Sequence, residues 1–159
     1  MPSIEWIQPM TDMLSYSHLF FAILVLAGPI IALALLSRPL DVVTAKRLQQ
    51  YELFNSIAAT LVLLVGLMRL FYFGKGADYY FHNLPFISKL VLYGVASGLS
   101  MVPTLEIKRW TTPLKRGSVP VVTEQKLSQM RYVLGGQLAC VLGMAVCAVL
   151  AARGIGSMG

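Results

Sequence analysis

Five side chains in this sequence could bind a cofactor or an anion, and four of them lie around the connection between the second and third apolar stretches. The second stretch ends near an arginine and the third begins near a lysine, and a Gly-Lys-Gly turn and an aromatic loop with a histidine lie between them. A further histidine lies early in the first apolar stretch. The five candidates are His18, Arg69, Lys75, His82 and Lys89.

Haem b would use such a set directly. An imidazole supplies an axial ligand to the iron, and guanidinium or ammonium groups pair with the two propionates. We expect His18 to be the ligand because it lies on a rigid helix, and His82 is a second candidate from the loop. Arg69, Lys75 and Lys89 are then expected around the propionates.

Each of these residues also has a simpler interpretation. A single histidine near a helix end often hydrogen-bonds a neighbour or lies at the membrane interface. The three cations could extend to lipid phosphates, and His82 lies in a polar loop of the kind that tolerates many residues. Only their convergence at one end of the helices favours a shared site.

The composition predicts that membrane-crossing helices position these residues. The chain is 57% hydrophobic and only 13% charged, whereas soluble domains carry about 25% charged residues. Its apolar residues fall into four runs, each about as long as the roughly 20 residues that span a bilayer. The sequence therefore predicts one all-α transmembrane domain over 1–159, a four-helix bundle with helices near 14–36, 44–73, 86–107 and 123–152.

Basic residues concentrate in two connecting segments, 37–52 and 108–131, which predicts the topology. The segment before the first run has no lysine or arginine, and basic residues mark cytoplasmic loops. We therefore expect a multi-pass protein of the bacterial inner membrane with both termini on the outer, periplasmic side. Membrane lipids with acidic headgroups, not nucleic acid, are the expected partners of the cations Arg38, Lys46, Arg47, Lys108, Arg109, Lys115, Arg116, Lys126 and Arg131.

The third and fourth helices have distinct faces. A polar stripe on the third helix should turn toward the bundle interior, because lipid cannot solvate it; it comprises Lys89, Tyr93, Ser97, Ser100 and Thr104. Small residues permit close helix contacts. The opposite Gly94-x-x-x-Gly98 face, and a small-residue seam on the fourth helix, therefore predict a homo-oligomer or a subunit of a membrane complex.

Several chemistries have no motif in this sequence. It contains no phosphate-binding glycine loop, no cysteine pair at metal-binding spacing and no set of serine, histidine and carboxylate that indicates hydrolysis. Acidic residues are nearly absent from the apolar runs. A proton pump that relays through intramembrane carboxylates is therefore not expected.

The stretch GLMRLFYFGKG and the residues that follow it up to Trp110 resemble a bacterial family of predicted four-helix membrane proteins of unknown function. The Tyr16-x-His18 start and the ARGIG ending at 152–156 resemble it too. More distantly, the layout is similar to the HemJ-type membrane protoporphyrinogen oxidases. That resemblance implies haem near His18 and a catalytic role for Lys89.

Two functions are consistent with this sequence. The first is a haem b-binding membrane redox protein, in a narrower form protoporphyrinogen oxidase-like. The second is a non-catalytic accessory or scaffolding subunit of a larger membrane complex, favoured by the lack of a clear catalytic set and by the two small-residue faces.

Overall fold

The computed structural model describes residues 7–73 and 80–156, and over these ranges the chain is built from helices. They are α1 (Ile7–Leu36), α2 (Val42–Met68) with a π-helical continuation (Arg69–Phe73), α3 (Leu84–Arg109), the short α4 (Thr111–Lys115) and α5 (Glu124–Ala152). The four long helices are each apolar and long enough to cross a membrane. The predicted all-α membrane bundle is confirmed.

The observed helix bounds differ from the expected ones in two places. α1 begins at Ile7 rather than near residue 14, and α4 lies in the 108–131 stretch that was expected to be loop. Pro9 and Pro113 lie in the first turns of α1 and α4. A proline is tolerated there because the first N–H groups of a helix have no intrahelical acceptor to lose.

The four long helices form a ring in which each helix contacts two neighbours. α1 lies between α2 and α5, and α3 lies between α5 and α2. The α3–α5 contact is the most extensive, and the small-residue seam of α5 forms part of it. A Cβ atom at Gly136 would lie 3.3 Å from Leu99, and one at Gly143 would lie 3.1 Å from Leu92, so both glycines permit the close approach that was predicted.

One end of the bundle is densely packed, and we call it the α4 end. It contains the α1–α2 connection, α4 and the start of α5. Arg131 joins these parts by donating from Nε and Nη2 to the Leu36 carbonyl, at 3.1 and 2.7 Å, which satisfies an acceptor at the end of α1. The core beneath it contains Ala32, Leu35, Leu36, Ala45, Leu48, Ile107, Trp110, Leu114, Leu127, Met130 and Leu134.

Three helices begin with a side-chain cap. Asp41 accepts a hydrogen bond from the Thr44 N–H, Asn83 from the Phe86 N–H, and Thr123 from the Lys126 N–H. Thr123 is followed by Glu124, a pair that is typical of a helix start. The hydrogen bond from Thr44 holds the pKa of the exposed Asp41 carboxyl below its ordinary value, so that this cap remains ionised at neutral pH.

The opposite end, which we call the His18 end, contains the start of α1, the end of α2 and the start of α3. The C-terminal segment packs on it: the Leu84 N–H donates to the Gly156 carbonyl at 3.0 Å. Gly156 has a φ of 81°, and a Cβ atom there would lie 2.8 Å from Pro85. Only glycine fits both restrictions without strain.

A close contact between α1 and α2 lies at Gly28. A Cβ atom built on Gly28 would lie 2.1 Å from Oδ1 and 2.5 Å from Cγ of Asn55. A methyl group at this position therefore requires the Asn55 side chain to move. Gly28 leaves room for this side chain of α2, as the small-x-x-x-small spacing with Ala32 indicates.

We predict that Gly28→Ala lowers the free energy of unfolding by about 1–3 kcal/mol, the usual cost of forcing a methyl group into a packed contact. Asn55→Ala in the same chain should recover most of this loss, because the side chain that clashes is removed. Gly94→Ala is the matched control, since nothing lies within 4 Å of its Cβ position. Equal destabilisation by Gly28→Ala and Gly94→Ala in detergent unfolding would contradict the assigned contact.

Candidate functional site

His18 lies on α1 at the His18 end and faces α2. Its Cε1 and Nδ1 atoms lie 3.2 and 3.6 Å from the position that a Cβ atom of residue 66 would occupy. Glycine at this position therefore leaves room for the imidazole. The ring is half-buried beside the carbonyl of Val62, and Nδ1 is buried with no hydrogen-bond partner among the described residues.

Arg69 and Lys89 lie close enough to His18 to act on it electrostatically. Arg69 is the first residue of the π-helical segment, and Lys89 projects from α3 near Cys147 of α5. The two cations also act on each other. Both are half-buried, and within the described ranges neither forms an ion pair with a carboxylate.

The structure thus brings together three of the five predicted site residues, from three different elements. His82 lies exposed in the turn before α3, next to the capping Asn83. Lys75 lies outside the described residues. The π-helical segment at Arg69 is a further feature of the site that the sequence pattern did not indicate, and such segments occur frequently at functional sites.

This arrangement has the chemistry of an anion site with one imidazole. Two cations without an acidic partner repel each other and favour a negatively charged ligand between or beside them. In the described part of the chain, no three histidine, cysteine or acidic residues lie close enough together to hold a bare metal ion. A metal at His18 would therefore need to bring most of its own ligands.

A second polar contact crosses the bundle toward the α4 end, and the sequence analysis did not identify it. Glu52 of α2 is half-buried and accepts a hydrogen bond from the Thr104 hydroxyl of α3, with Lys108 near enough to act on the carboxyl group. Higher on α3, the Tyr93 hydroxyl donates to the Ala59 carbonyl at 3.0 Å. Two members of the predicted polar stripe of α3, Tyr93 and Thr104, therefore turn inward toward α2, whereas Ser97 is exposed and the Ser100 hydroxyl bonds within α3.

The four apolar helices and the polar groups enclosed between them define a polytopic all-α membrane protein. A family model described as "Predicted membrane protein (DUF2214)" matches residues 10–156. The chain belongs to this family, and the family description carries no activity. No curated protein and no solved structure matches the chain.

We predict that Thr104→Val lowers the free energy of unfolding by about 1–3 kcal/mol, because valine keeps the shape of threonine but leaves an oxygen of the half-buried Glu52 without its donor. Ser100→Ala is a suitable control on the same helix, since the Ser100 hydroxyl bonds only to the Ser97 carbonyl of its own helix. Chemical unfolding in detergent would measure both variants. If the two substitutions cost the same, the contact between Thr104 and Glu52 does not stabilise the bundle.

Proposed function

We propose that this protein is a membrane redox protein that binds haem b at the His18 end. The observation that carries the proposal is an imidazole with a buried, unpartnered Nδ1, flanked by two cations from other helices that have no carboxylate partner in the described part of the chain. In this proposal His18 holds the iron, and Arg69 and Lys89 pair with the propionates. Lys75 and His82 are the additional candidates near this end.

Histidine, arginine and lysine, the residue types present at this end, are those that hold a non-covalently bound haem. The backbone carbonyl of Val62 adjoins the ring, where it would help to fix the ring orientation when a metal binds. The sequence contains no Cys-x-x-Cys-His, the motif for covalent attachment of haem. When bound, haem b supplies one-electron transfer chemistry.

The distant resemblance to HemJ-type enzymes supports a narrower form of this proposal. In that form the protein is protoporphyrinogen oxidase-like, and Lys89 holds an anionic porphyrin substrate in a catalytic role. The charge pattern supports a bacterial inner-membrane location with the His18 end on the periplasmic side, because the basic residues concentrate at the α4 end.

We expect the detergent-purified protein, expressed with sufficient haem, to show a b-type spectrum with a Soret band that His18→Ala abolishes. His82→Ala is the matched control and should retain the band if His18 alone supplies the ligand. Arg69→Gln and Lys89→Gln should each weaken haem binding by about tenfold or more, the loss expected for one charge-assisted hydrogen bond.

Folding is checked independently, since His18→Ala also removes a packed side chain. His18→Gln retains a polar side chain of similar size, and a monodisperse, thermally stable His18→Gln without a Soret band would separate ligand loss from misfolding. A colourless wild-type protein, or a spectrum unchanged in both His18 variants, would overturn the proposal.

A second candidate function is supported by the outer face of α3. Gly94 and Gly98 are exposed, and nothing lies within 4 Å of the Cβ position of either. Both lie on the surface that faces away from the bundle, where a small-residue pair permits a further helix to approach. On this observation we propose, as the alternative, that the chain is an accessory or scaffolding subunit that assembles through α3 with a second copy or with another membrane protein.

We predict that Gly94→Leu with Gly98→Leu converts an assembled species to a monomer without lowering its thermal stability, because both side chains point into open space within one chain. Light scattering in mild detergent measures the mass. Gly135→Leu on α5 is the control, since Gly135 is equally exposed and open. A wild-type protein that is already monomeric and purifies without a partner would contradict the assembly.

A further inference from the structure

A groove runs along the outside of the bundle between α1 and α2, and it begins at the α4 end. Its first part has a volume of about 510 Å³, within the range of small-molecule sites. Arg38, from the α1–α2 connection, and Arg47, from the second turn of α2, lie at its mouth. Ile31 and Phe54 form its apolar side.

The groove continues toward the middle of the membrane as an apolar channel. Its second part, of about 320 Å³, shares Ile31, Tyr51 and Phe54 with the first part and extends past Leu24 and Phe21. Apart from Tyr51 and Asn55, the side chains that line this second part are apolar. The whole groove therefore has two cations at one end and is mostly apolar toward the other end.

The two arginines form no ion pair within the described chain. Both side chains are exposed, and neither has a hydrogen-bond or ion-pair partner among residues 7–73 and 80–156. A guanidinium group binds phosphate through two parallel hydrogen bonds. The guanidinium groups of Arg38 and Arg47 lie where α1 and α2 meet at the α4 end, and this position suits a phosphate at the depth of the lipid headgroups.

We propose that this groove is a binding site for one anionic phospholipid. The phosphate group lies between Arg38 and Arg47, and an acyl chain lies along Ile31, Phe54 and Leu24. Charge complementarity supports the headgroup position, because basic pockets between helices at a membrane surface recognise anionic lipid headgroups. The apolar second part of the groove favours a lipid, whose acyl chain would occupy it. A soluble anion would contact only the two arginines.

The proposed lipid site uses different residues from the haem proposal. Its arginines lie on the outer surface at the α4 end, whereas His18, Arg69 and Lys89 lie at the other end and do not line the groove. The two proposals therefore succeed or fail independently.

Titration of delipidated, detergent-purified protein with phosphatidylglycerol and with phosphatidylcholine of the same acyl chains, followed by native mass spectrometry, tests the site. We expect one molecule of phosphatidylglycerol to bind at least about tenfold more tightly than phosphatidylcholine. Arg38→Gln with Arg47→Gln should remove this preference. Ala27→Phe, which fills the apolar part of the groove, should weaken both lipids and leave the arginines in place.

The matched control is Lys115→Gln with Arg116→Gln. This double variant removes the same amount of charge at the same end of the bundle, but both side chains are exposed and lie outside the groove. This control should retain the preference for phosphatidylglycerol, and soluble glycerophosphoglycerol should not compete. Equal losses in the two double variants would show a general charge effect and overturn the site. Competition by the soluble headgroup, or an unchanged preference in Arg38→Gln with Arg47→Gln, would overturn it as well.

Discussion

The cost of placing a polar or charged group in hydrocarbon is the constraint on which this structure depends. A lipid bilayer offers no hydrogen-bond partners, so each polar side chain on a membrane helix turns toward protein, toward water or toward a headgroup. Three polar contacts follow this rule: Thr104 of α3 bonds to Glu52 of α2, Tyr93 of α3 bonds to the Ala59 carbonyl, and His18 of α1 faces Gly66. The bundle is thus arranged around a few inward polar groups, with its apolar surface left for lipid.

The two ends of the bundle satisfy this constraint in different ways. At the α4 end, Arg131 satisfies the Leu36 carbonyl, and Trp110 and Met130 fill the interior. The His18 end has two cations and an imidazole nitrogen with no partner in the described chain. Dense packing at one end allows the other to hold groups that are not internally satisfied, because van der Waals packing and hydrogen bonds between helices hold a membrane bundle together.

The fold was predictable because the same sequence feature, an apolar run of bilayer length, occurs four times. Four apolar runs, each about the thickness of a bilayer, leave few alternatives, and the seam of Gly136 and Gly143 follows from helical spacing alone. The starts of α1 and α4 were less predictable, because polar residues and a proline in a first turn are equally consistent with a loop.

The candidate site was predictable only in part, because sequence spacing does not report distances between helices. The convergence of His18, Arg69 and Lys89 follows from three helix ends that meet on one side, which the charge pattern and run lengths indicate. Glu52 was missed because it is a single carboxylate in the first half of α2 with no other acidic residue near it in the sequence. Its partner Thr104 lies on another helix, and no pattern within α2 reveals whether a carboxylate at that depth faces lipid, water or a hydroxyl.

The excess of positive charge connects the two proposed sites. The chain has 13 lysine and arginine residues against 7 acidic ones. Within residues 7–73 and 80–156, the ion pair is that between Arg109 and Glu106, at 3.5 Å, and its arginine is exposed, so it contributes little. Within the described ranges, cations that no carboxylate neutralises can find their anions outside the chain. Exposed cations such as Arg38 and Arg47 can take them from lipid headgroups, as the lipid proposal has it. Arg69 and Lys89 are half-buried, and in the haem proposal their counter-charge is the pair of propionates of the group that His18 holds.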